Sequence, residues 1–230
     1  MDIHGLQKMT LLDFPGKVAC TVFLAGCDLS CPFCHNSELI NRNTAQPVMD
    51  SQELISFLSK RRGLLDGVAI TGGEPLLSPG LEDLIRSIRD LGYPVKLDTN
   101  GNHPEKLKKL IKAELLDYVA MDIKNSPDRY AVTCGLKEMP LEKINESISV
   151  LLEGRVPYEF RTTVVRQLHD RESFEKIGPW LSGASAYYLQ PFTDRDTVLY
   201  SGFSAPDEDE LLLYADIMRP WVKKVSMRGH

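Results

Sequence analysis

The sequence predicts an α/β protein built on a parallel β-sheet with helices on its outer face. Two observations carry this prediction. Short apolar segments alternate with amphipathic segments along the chain, and the apolar segments are continuous enough for strands that are covered by helices. The alternation gives six β/α units, fewer than the eight of a complete barrel. An open doubly wound sheet and a partial, open (β/α)6 barrel both fit this pattern. The candidate site residues described below favour the partial (β/α)6 open barrel, which is the fold we expect.

The individual elements follow one another in a regular order. The predicted strands cover residues 18–24, 67–71, 95–98, 118–123, 158–165, 187–191 and 222–227. The predicted helices, recognised by apolar residues at three- and four-residue spacing, include residues 51–62, 81–91, 107–111, 144–152, 174–181 and 207–218. Asp50 or Ser51 is the expected N-cap of the first helix, and Gly92 is expected to end the second.

The composition is that of a globular protein, and an odd number of cysteines with three close together points to a reducing, cytoplasmic compartment. The chain has 230 residues, a net charge of −5 at pH 7 and a pI near 5.6, whereas nucleic-acid-binding proteins are usually basic. It contains no apolar run close to the roughly 20 residues that span a bilayer, and residues 1–7 lack a signal-peptide core. We therefore expect neither a nucleic acid nor a membrane as a partner.

Three of the five cysteines lie in one short loop after the first strand. Cys27, Cys31 and Cys34 have the spacing C-x3-C-x2-C, and thiolates are soft ligands that suit iron–sulfur clusters or zinc. Three thiolates leave one iron of a four-iron cluster with an open position for a ligand. Zinc held by these cysteines and His35 is one alternative, although adjacent Cys34 and His35 would reach one metal with difficulty. Simple buried thiols are the other.

Polar residues also follow the next strands, where parallel strands present their ligand-binding edge. They are Gly72, Gly73 and Glu74 after the second strand, Asp98, Thr99 and Asn100 after the third, and Asp122 and Lys124 at the fourth. We expect these residues to converge with the cysteine loop. Taken alone, GGEP and DTNG are also ordinary turn sequences.

The cysteine loop, with Phe33 before its last cysteine, resembles the signature loop of the radical S-adenosylmethionine superfamily. The resemblance implies a single radical S-adenosylmethionine domain over residues 1–230, with a [4Fe–4S] cluster on Cys27, Cys31 and Cys34. It further implies that S-adenosylmethionine chelates the fourth iron, with Phe33 near its adenine. An electron from the reduced cluster would then cleave the cosubstrate into methionine and a 5′-deoxyadenosyl radical.

The same resemblance assigns roles to the polar motifs. Gly72, Gly73 and Glu74 resemble the GGE motif that holds the methionine amino group. Asp98-Thr99-Asn100-Gly101 and Asp122-Ile123-Lys124 resemble the DTNG and DxK stretches of the glycyl-radical-enzyme activases. Asp98, Thr99 and Asp122 have hard oxygen donors that could hold a monovalent cation, while Asp98, Asn100 and Lys124 are expected at the cosubstrate. Arg161 and Gln190 are expected at the same edge, although Arg161 could equally form a structural ion pair.

The resemblance also indicates which radical enzyme this is. Residues 10–16 (TLLDFPG), FLAGC and CHN are similar to the activating proteins of anaerobic ribonucleoside-triphosphate reductase. We therefore expect a glycyl radical to be generated on a partner enzyme, with a flavodoxin or a ferredoxin as the electron donor. The alternatives are activation of another glycyl radical enzyme such as pyruvate formate-lyase, a radical enzyme acting on a small molecule, and a zinc or electron-transfer module without catalysis.

Overall fold

The computed structural model describes residues 1–228. The strands are β1 (Asp2–Ile3), β2 (Gly5–Thr10), β3 (Ala19–Leu24), β4 (Met49–Asp50), β5 (Gly67–Gly72), β6 (Val95–Thr99), β7 (Tyr118–Asp122), β8 (Tyr158–Val164), β9 (Tyr187–Pro191) and β10 (Val225–Met227). The α-helices are α1 (Ser51–Ser59), α2 (Leu81–Asp90), α3 (Pro104–Lys112), α4 (Tyr130–Thr133), α5 (Glu142–Leu152), α6 (Arg171–Trp180) and α7 (Glu208–Met218). Short 3-10 helices cover Ser37–Leu39 and Pro75–Leu77.

The chain forms two compact units. The first comprises Met1–Asp28, Glu38–Ala120 and Arg155–Pro157, and the second comprises Leu29–Ser37, Met121–Gly154 and the chain from Tyr158 onward. The single domain expected over residues 1–230 stays a prediction.

In the first unit, parallel strands bring the motifs to one edge. The strand order is β2-β3-β5-β6, with β2 antiparallel to β3 and the other two pairs parallel. Ala19 lies opposite Gly67 and Leu24 opposite Gly72, so β3 and β5 end together. The segments that follow these strands therefore leave the sheet side by side. A second, two-stranded sheet pairs β1 with β4.

In the second unit, β8, β9 and β10 are parallel neighbours. Thr163 of β8 lies opposite Gln190 of β9, and Tyr187 of β9 lies opposite Val225 of β10. The parallel pairs in both units confirm the predicted α/β class with a mostly parallel sheet. Among the residues described, no helix is both long enough and apolar enough to cross a membrane.

The first helix, α1, is capped and buried through residues that the sequence analysis singles out. Asp50 caps α1 by accepting from the backbone N–H of Gln52 and Glu53, which confirms one of the two expected N-caps. Leu54 and Leu58 of α1 are buried, and each contributes about 1.5–3 kcal/mol by leaving water. The helix ends at Ser59, three residues earlier than predicted.

The helices of the second unit pack through aromatic residues, and its last strand is fixed by an ion pair. Phe174 of α6 stacks on Tyr214 of α7 with ring centroids 4.3 Å apart. Arg228, just after β10, donates to both carboxylate oxygens of Glu159 on β8, at 2.6 and 2.8 Å. The Glu159 side chain is completely buried, so this bidentate pair neutralises a charge inside the unit.

Candidate active site

The first unit holds the beginning of the cysteine loop. The backbone N–H of Gly26 donates to Leu39 at 2.7 Å, and that of Cys27 donates to Ile40 at 3.0 Å. Gly26 has a φ of 101°, a left-handed conformation that glycine adopts without strain. Cys27 is half-buried and lines a surface cleft of about 430 Å³. Cys27 is therefore presented on a backbone held by two hydrogen bonds.

The predicted glycine motif lies directly against this loop. A Cβ atom on Gly73 would lie 2.4 Å from the carbonyl oxygen of Gly26, and one on Gly72 would lie 2.2 Å from that of Leu24. The backbone N–H of Glu74 donates to Gly26 at 2.7 Å. The structure thus places the glycine pair next to Cys27, and only glycine permits this close approach of the two backbones.

Glu74 connects the glycine motif to the segment after β6. Its buried carboxylate accepts from Leu76 N–H at 3.0 Å, from the Thr99 hydroxyl at 3.0 Å and from Asn100 N–H at 2.6 Å. Burial raises the pKa of Glu74 to about 7, against the lowering effect of these hydrogen bonds. The predicted Thr99 and Asn100 are therefore fixed by the predicted Glu74.

Asp28, which the sequence did not single out, binds the same segment from the other side. Its carboxylate accepts from the side chains of Asn100 at 2.8 Å and Asn102 at 2.5 Å, and it lies 3.0 Å from His103 Nε2. Burial opposes ionisation, yet hydrogen bonds from His103, Asn102 and Asn100 hold the pKa of Asp28 below its usual range. Asp28, the residue next to Cys27, thus links the start of the cysteine loop to the DTNG stretch by hydrogen bonds.

Asp98 is paired with a lysine of its own strand. Lys96 is completely buried and its Nζ donates to Oδ1 of Asp98. The two residues lie two positions apart on β6, so their side chains leave the same face of the strand. The predicted site residue Asp98 therefore already forms an ion pair with a lysine side chain of the protein.

The second unit holds the remainder of the cysteine loop. Cys31 is buried, and Cys34 is half-buried with its backbone N–H donating to Cys31 at 3.1 Å. A hydrogen bond with the Cys134 thiol outweighs burial and lowers the pKa of Cys31 to about 7. Burial raises the pKa of Cys34. Phe33, which lies between these two cysteines in the sequence and is predicted near the adenine, is buried.

Asp122, Lys124 and Arg161 form one ion-paired group in the second unit. Asp122 accepts from Lys124 Nζ at 2.8 Å and from Arg161 Nε at 2.5 Å. Burial opposes ionisation, but the two cations lower the pKa of Asp122, and Asp122 in turn raises that of Lys124 against burial. Arg161 thus forms an ion pair. Gln190 lies on β9, one strand away from Arg161, and is half-buried.

A further contact, absent from the sequence prediction, links the cysteine loop to the segment after β9. The His35 ring stacks on Phe192 with centroids 5.3 Å apart, and its Nε2 lies 2.6 Å from the Thr193 carbonyl oxygen. Thr197 Oγ1 donates to the His35 carbonyl at 2.7 Å. Burial lowers the pKa of His35. His35 is therefore engaged within its own unit by packing and hydrogen bonds.

A comparison with known proteins identifies the family. Residues 21–177 match the family model described as the Radical SAM superfamily. The chain belongs to this superfamily. It is also 32% identical over 98% of its length, and 95% of the relative's, to a Methanocaldococcus jannaschii protein provisionally named a glycyl-radical enzyme activating enzyme. It is 32% identical to the pyruvate formate-lyase-activating enzyme of Clostridium pasteurianum over 55% of this chain and 53% of that one. It is therefore an enzyme of the glycyl-radical-enzyme activating group.

The solved structures agree with the fold of this radical SAM enzyme. A radical SAM methyltransferase from Sphaerobacter thermophilus aligns with a TM-score of 0.72 at 16% identity, covering 96% of this chain and 69% of that one. This similarity concerns the fold alone. It supports the expected class, an α/β fold with a mostly parallel sheet of the partial-barrel kind.

The cysteines of this radical SAM enzyme fit the cofactors of the family, a [4Fe–4S] cluster and S-adenosylmethionine. Three thiols suit three irons of a four-iron cluster, since thiolates are the soft ligands that iron–sulfur clusters take. Cys20 lies inside β3, where burial raises its pKa to about 12, so it does not belong to this set. Among residues 1–228, no three His, Cys, Asp or Glu side chains form a group that could hold one metal ion.

Proposed function

We propose that this radical SAM enzyme generates a glycyl radical on anaerobic ribonucleoside-triphosphate reductase. The C-x3-C-x2-C loop is the observation that carries the radical chemistry, since its three thiols leave one iron of the cluster for the cosubstrate. The similarity of residues 10–16, FLAGC and CHN to the reductase activating proteins supports the choice of partner. A flavodoxin or ferredoxin is the proposed electron donor.

The first unit is proposed to orient the methionine end of the cosubstrate. Cys27, Cys31 and Cys34 would hold the [4Fe–4S] cluster, which would supply the electron for reductive cleavage of S-adenosylmethionine and so the radical chemistry that removes a hydrogen atom from the partner's glycine. Gly72 and Gly73 offer backbone groups beside Cys27, and Glu74 holds Thr99 and Asn100 in place. Such fixed positioning directs cleavage to one carbon–sulfur bond.

The second unit is proposed to supply the remaining contacts. Cys31 and Cys34 would ligate the cluster together with Cys27, and Phe33 would pack near the adenine. Lys124 offers an ammonium group that donates a hydrogen bond to Asp122 at 2.8 Å and is held in position by it. Arg161 is assigned to the carboxylate or the ribose side of the cosubstrate, and Gln190, on the neighbouring strand, is assigned to the same edge of the site.

The proposal is tested in two steps. Anaerobic reconstitution with iron and sulfide, followed by reduction with S-adenosylmethionine, should yield 5′-deoxyadenosine. Ala at Cys27, Cys31 or Cys34 should abolish this product, whereas the matched control Cys20→Ala should retain it because Cys20 lies inside β3. Full product from a cluster-cysteine variant would refute the chemistry.

The second step identifies the partner. The reconstituted enzyme is incubated with anaerobic ribonucleotide reductase or with pyruvate formate-lyase, and the glycyl radical is measured by electron paramagnetic resonance. Pyruvate formate-lyase is the second candidate because the chain is similar to its activating enzyme. A radical on the reductase alone supports the proposal, and a radical on pyruvate formate-lyase alone selects the second candidate.

A further inference from the structure

Lys96 is a buried cation that the proposed function leaves unused. Its side chain is completely buried in β6, while that of Asp98 is 12% exposed. Lysine is rarely buried unless an opposite charge accompanies it. Lys96 Nζ donates to Asp98 Oδ1, so the strand brings one positive charge to the carboxylate that follows two residues later. Thus the buried ammonium and the predicted cation ligand form one pair within the first unit.

Asp122, the second carboxylate predicted to bind a cation, is likewise paired with cationic side chains of its own unit. Asp122 accepts from Lys124 at 2.8 Å and from Arg161 at 2.5 Å. Its carboxylate therefore lies beside two positive charges. Both carboxylates on which a monovalent cation was expected to bind are thus accompanied by cationic side chains of the chain itself.

We propose that Lys96 is the built-in counter-ion of Asp98 and that the enzyme binds S-adenosylmethionine without a monovalent cation. Lys96 already compensates the charge of the Asp98 carboxylate, so a cation bound to the same carboxylate would be repelled by the adjacent ammonium and bind weakly. The predicted ligands therefore do not fit a further cation. The proposal rests on the proposed function only in placing Asp98 beside S-adenosylmethionine.

The test replaces the lysine and asks whether potassium can take its place. The dissociation constant of S-adenosylmethionine is measured by equilibrium dialysis on the cluster-loaded enzyme, in potassium chloride and in tetramethylammonium chloride of equal concentration. The wild-type constant should agree within about twofold between the two salts. Lys96→Met should bind about tenfold or more weakly in tetramethylammonium, and potassium should restore most of that loss.

Two further variants separate a counter-ion from a packing residue. Lys96→Met combined with Asp98→Asn removes both charges, so its binding should not respond to potassium. The control Lys176→Met removes an exposed lysine paired with Asp128 and Glu172, both at 2.7 Å, and should behave as wild type. A wild-type constant that worsens about tenfold without potassium, or a Lys96→Met enzyme that potassium does not rescue, would overturn the proposal.

A second readout requires neither cluster nor cosubstrate. The unfolding temperature of the cluster-free Lys96→Met chain should be higher in potassium than in tetramethylammonium, while that of wild type should be equal in both. If the enzyme binds no S-adenosylmethionine in either salt, the proposed function fails and this readout still decides the role of Lys96. If Lys96→Met does not fold, the wild-type salt comparison and the double variant decide it.

Discussion

Replacement of Asp28 by Ala should loosen the segment that follows β6. The Asp28 carboxylate accepts from Asn100 at 2.8 Å and Asn102 at 2.5 Å, and lies 3.0 Å from His103 Nε2. A hydrogen bond to a charged group contributes about 1.5–3 kcal/mol. The lower end applies here, because the Asp28 side chain is 24% exposed and water can replace part of each bond. We therefore expect the opening free energy of this segment to fall by about 2–4 kcal/mol.

Amide hydrogen exchange of the full chain measures this change locally. Protection of residues 100–103 should fall by a factor of about 30 to 1,000. Asp66→Ala is the control, because exposed Asp66 accepts one hydrogen bond from Val18 N–H at 3.1 Å. Since the pKa of Asp28 is lowered, its contribution is present above its ordinary value of 3.8 and is lost as pH falls through the folded-state value. Unchanged protection in Asp28→Ala would refute the reasoning.

Three further predictions concern the first unit and its control positions. Gly73→Ala should lower the unfolding free energy by about 2 kcal/mol or more, since its Cβ would lie 2.4 Å from the Gly26 carbonyl oxygen. The control Gly154→Ala meets no atom within 4 Å and should lower it by about 1 kcal/mol because of its φ of 70°. Equal losses of unfolding free energy in thermal unfolding would contradict this. Because burial raises the Glu74 pKa from 4.5 to about 7, its stabilising contribution is present below pH 4.5 and is lost as pH rises through 7. The difference in unfolding free energy between wild type and Glu74→Gln should therefore shrink by about 3 kcal/mol over that range, and a constant difference would count against the assignment. Cys20, with a pKa of about 12, should resist iodoacetamide at pH 8 in the native cluster-free chain and react only in urea, as peptide mass spectrometry would show.

The sequence predicts buried parallel strands well because their signal is local. Every residue of β6 is buried, and the prediction of 95–98 differs from the observed Val95–Thr99 by one residue. By contrast, β2 is exposed from Gln7 to Met9 and has no continuous apolar pattern. Its antiparallel pairing with β3 also contains a register shift, which depends on the partner strand and cannot be inferred from residues 5–10 alone.

The sequence singles out candidate site residues where chemistry is concentrated in a short motif, as at Cys27 and Glu74, and their roles stay predictions. The role of Asp28 was not predictable, because its partner Asn102 lies 74 residues away and a single sequence carries no record of that contact. The ion pair of Lys96 with Asp98 could have been inferred from the sequence. A lysine inside an apolar strand, with an aspartate two residues later, places both charges on one face of a buried element.

The ion pair between Glu159 and Arg228 has a consequence for synthesis of the chain. The two residues are 69 positions apart, and β8 is made first. At about 5–20 residues per second, translation takes roughly 3–14 seconds to reach the arginine after the glutamate. During that interval the carboxylate lacks the guanidinium that accompanies it in the finished fold. Final closure of the second unit around β8 is therefore expected to occur late, after the ribosome has passed residue 228.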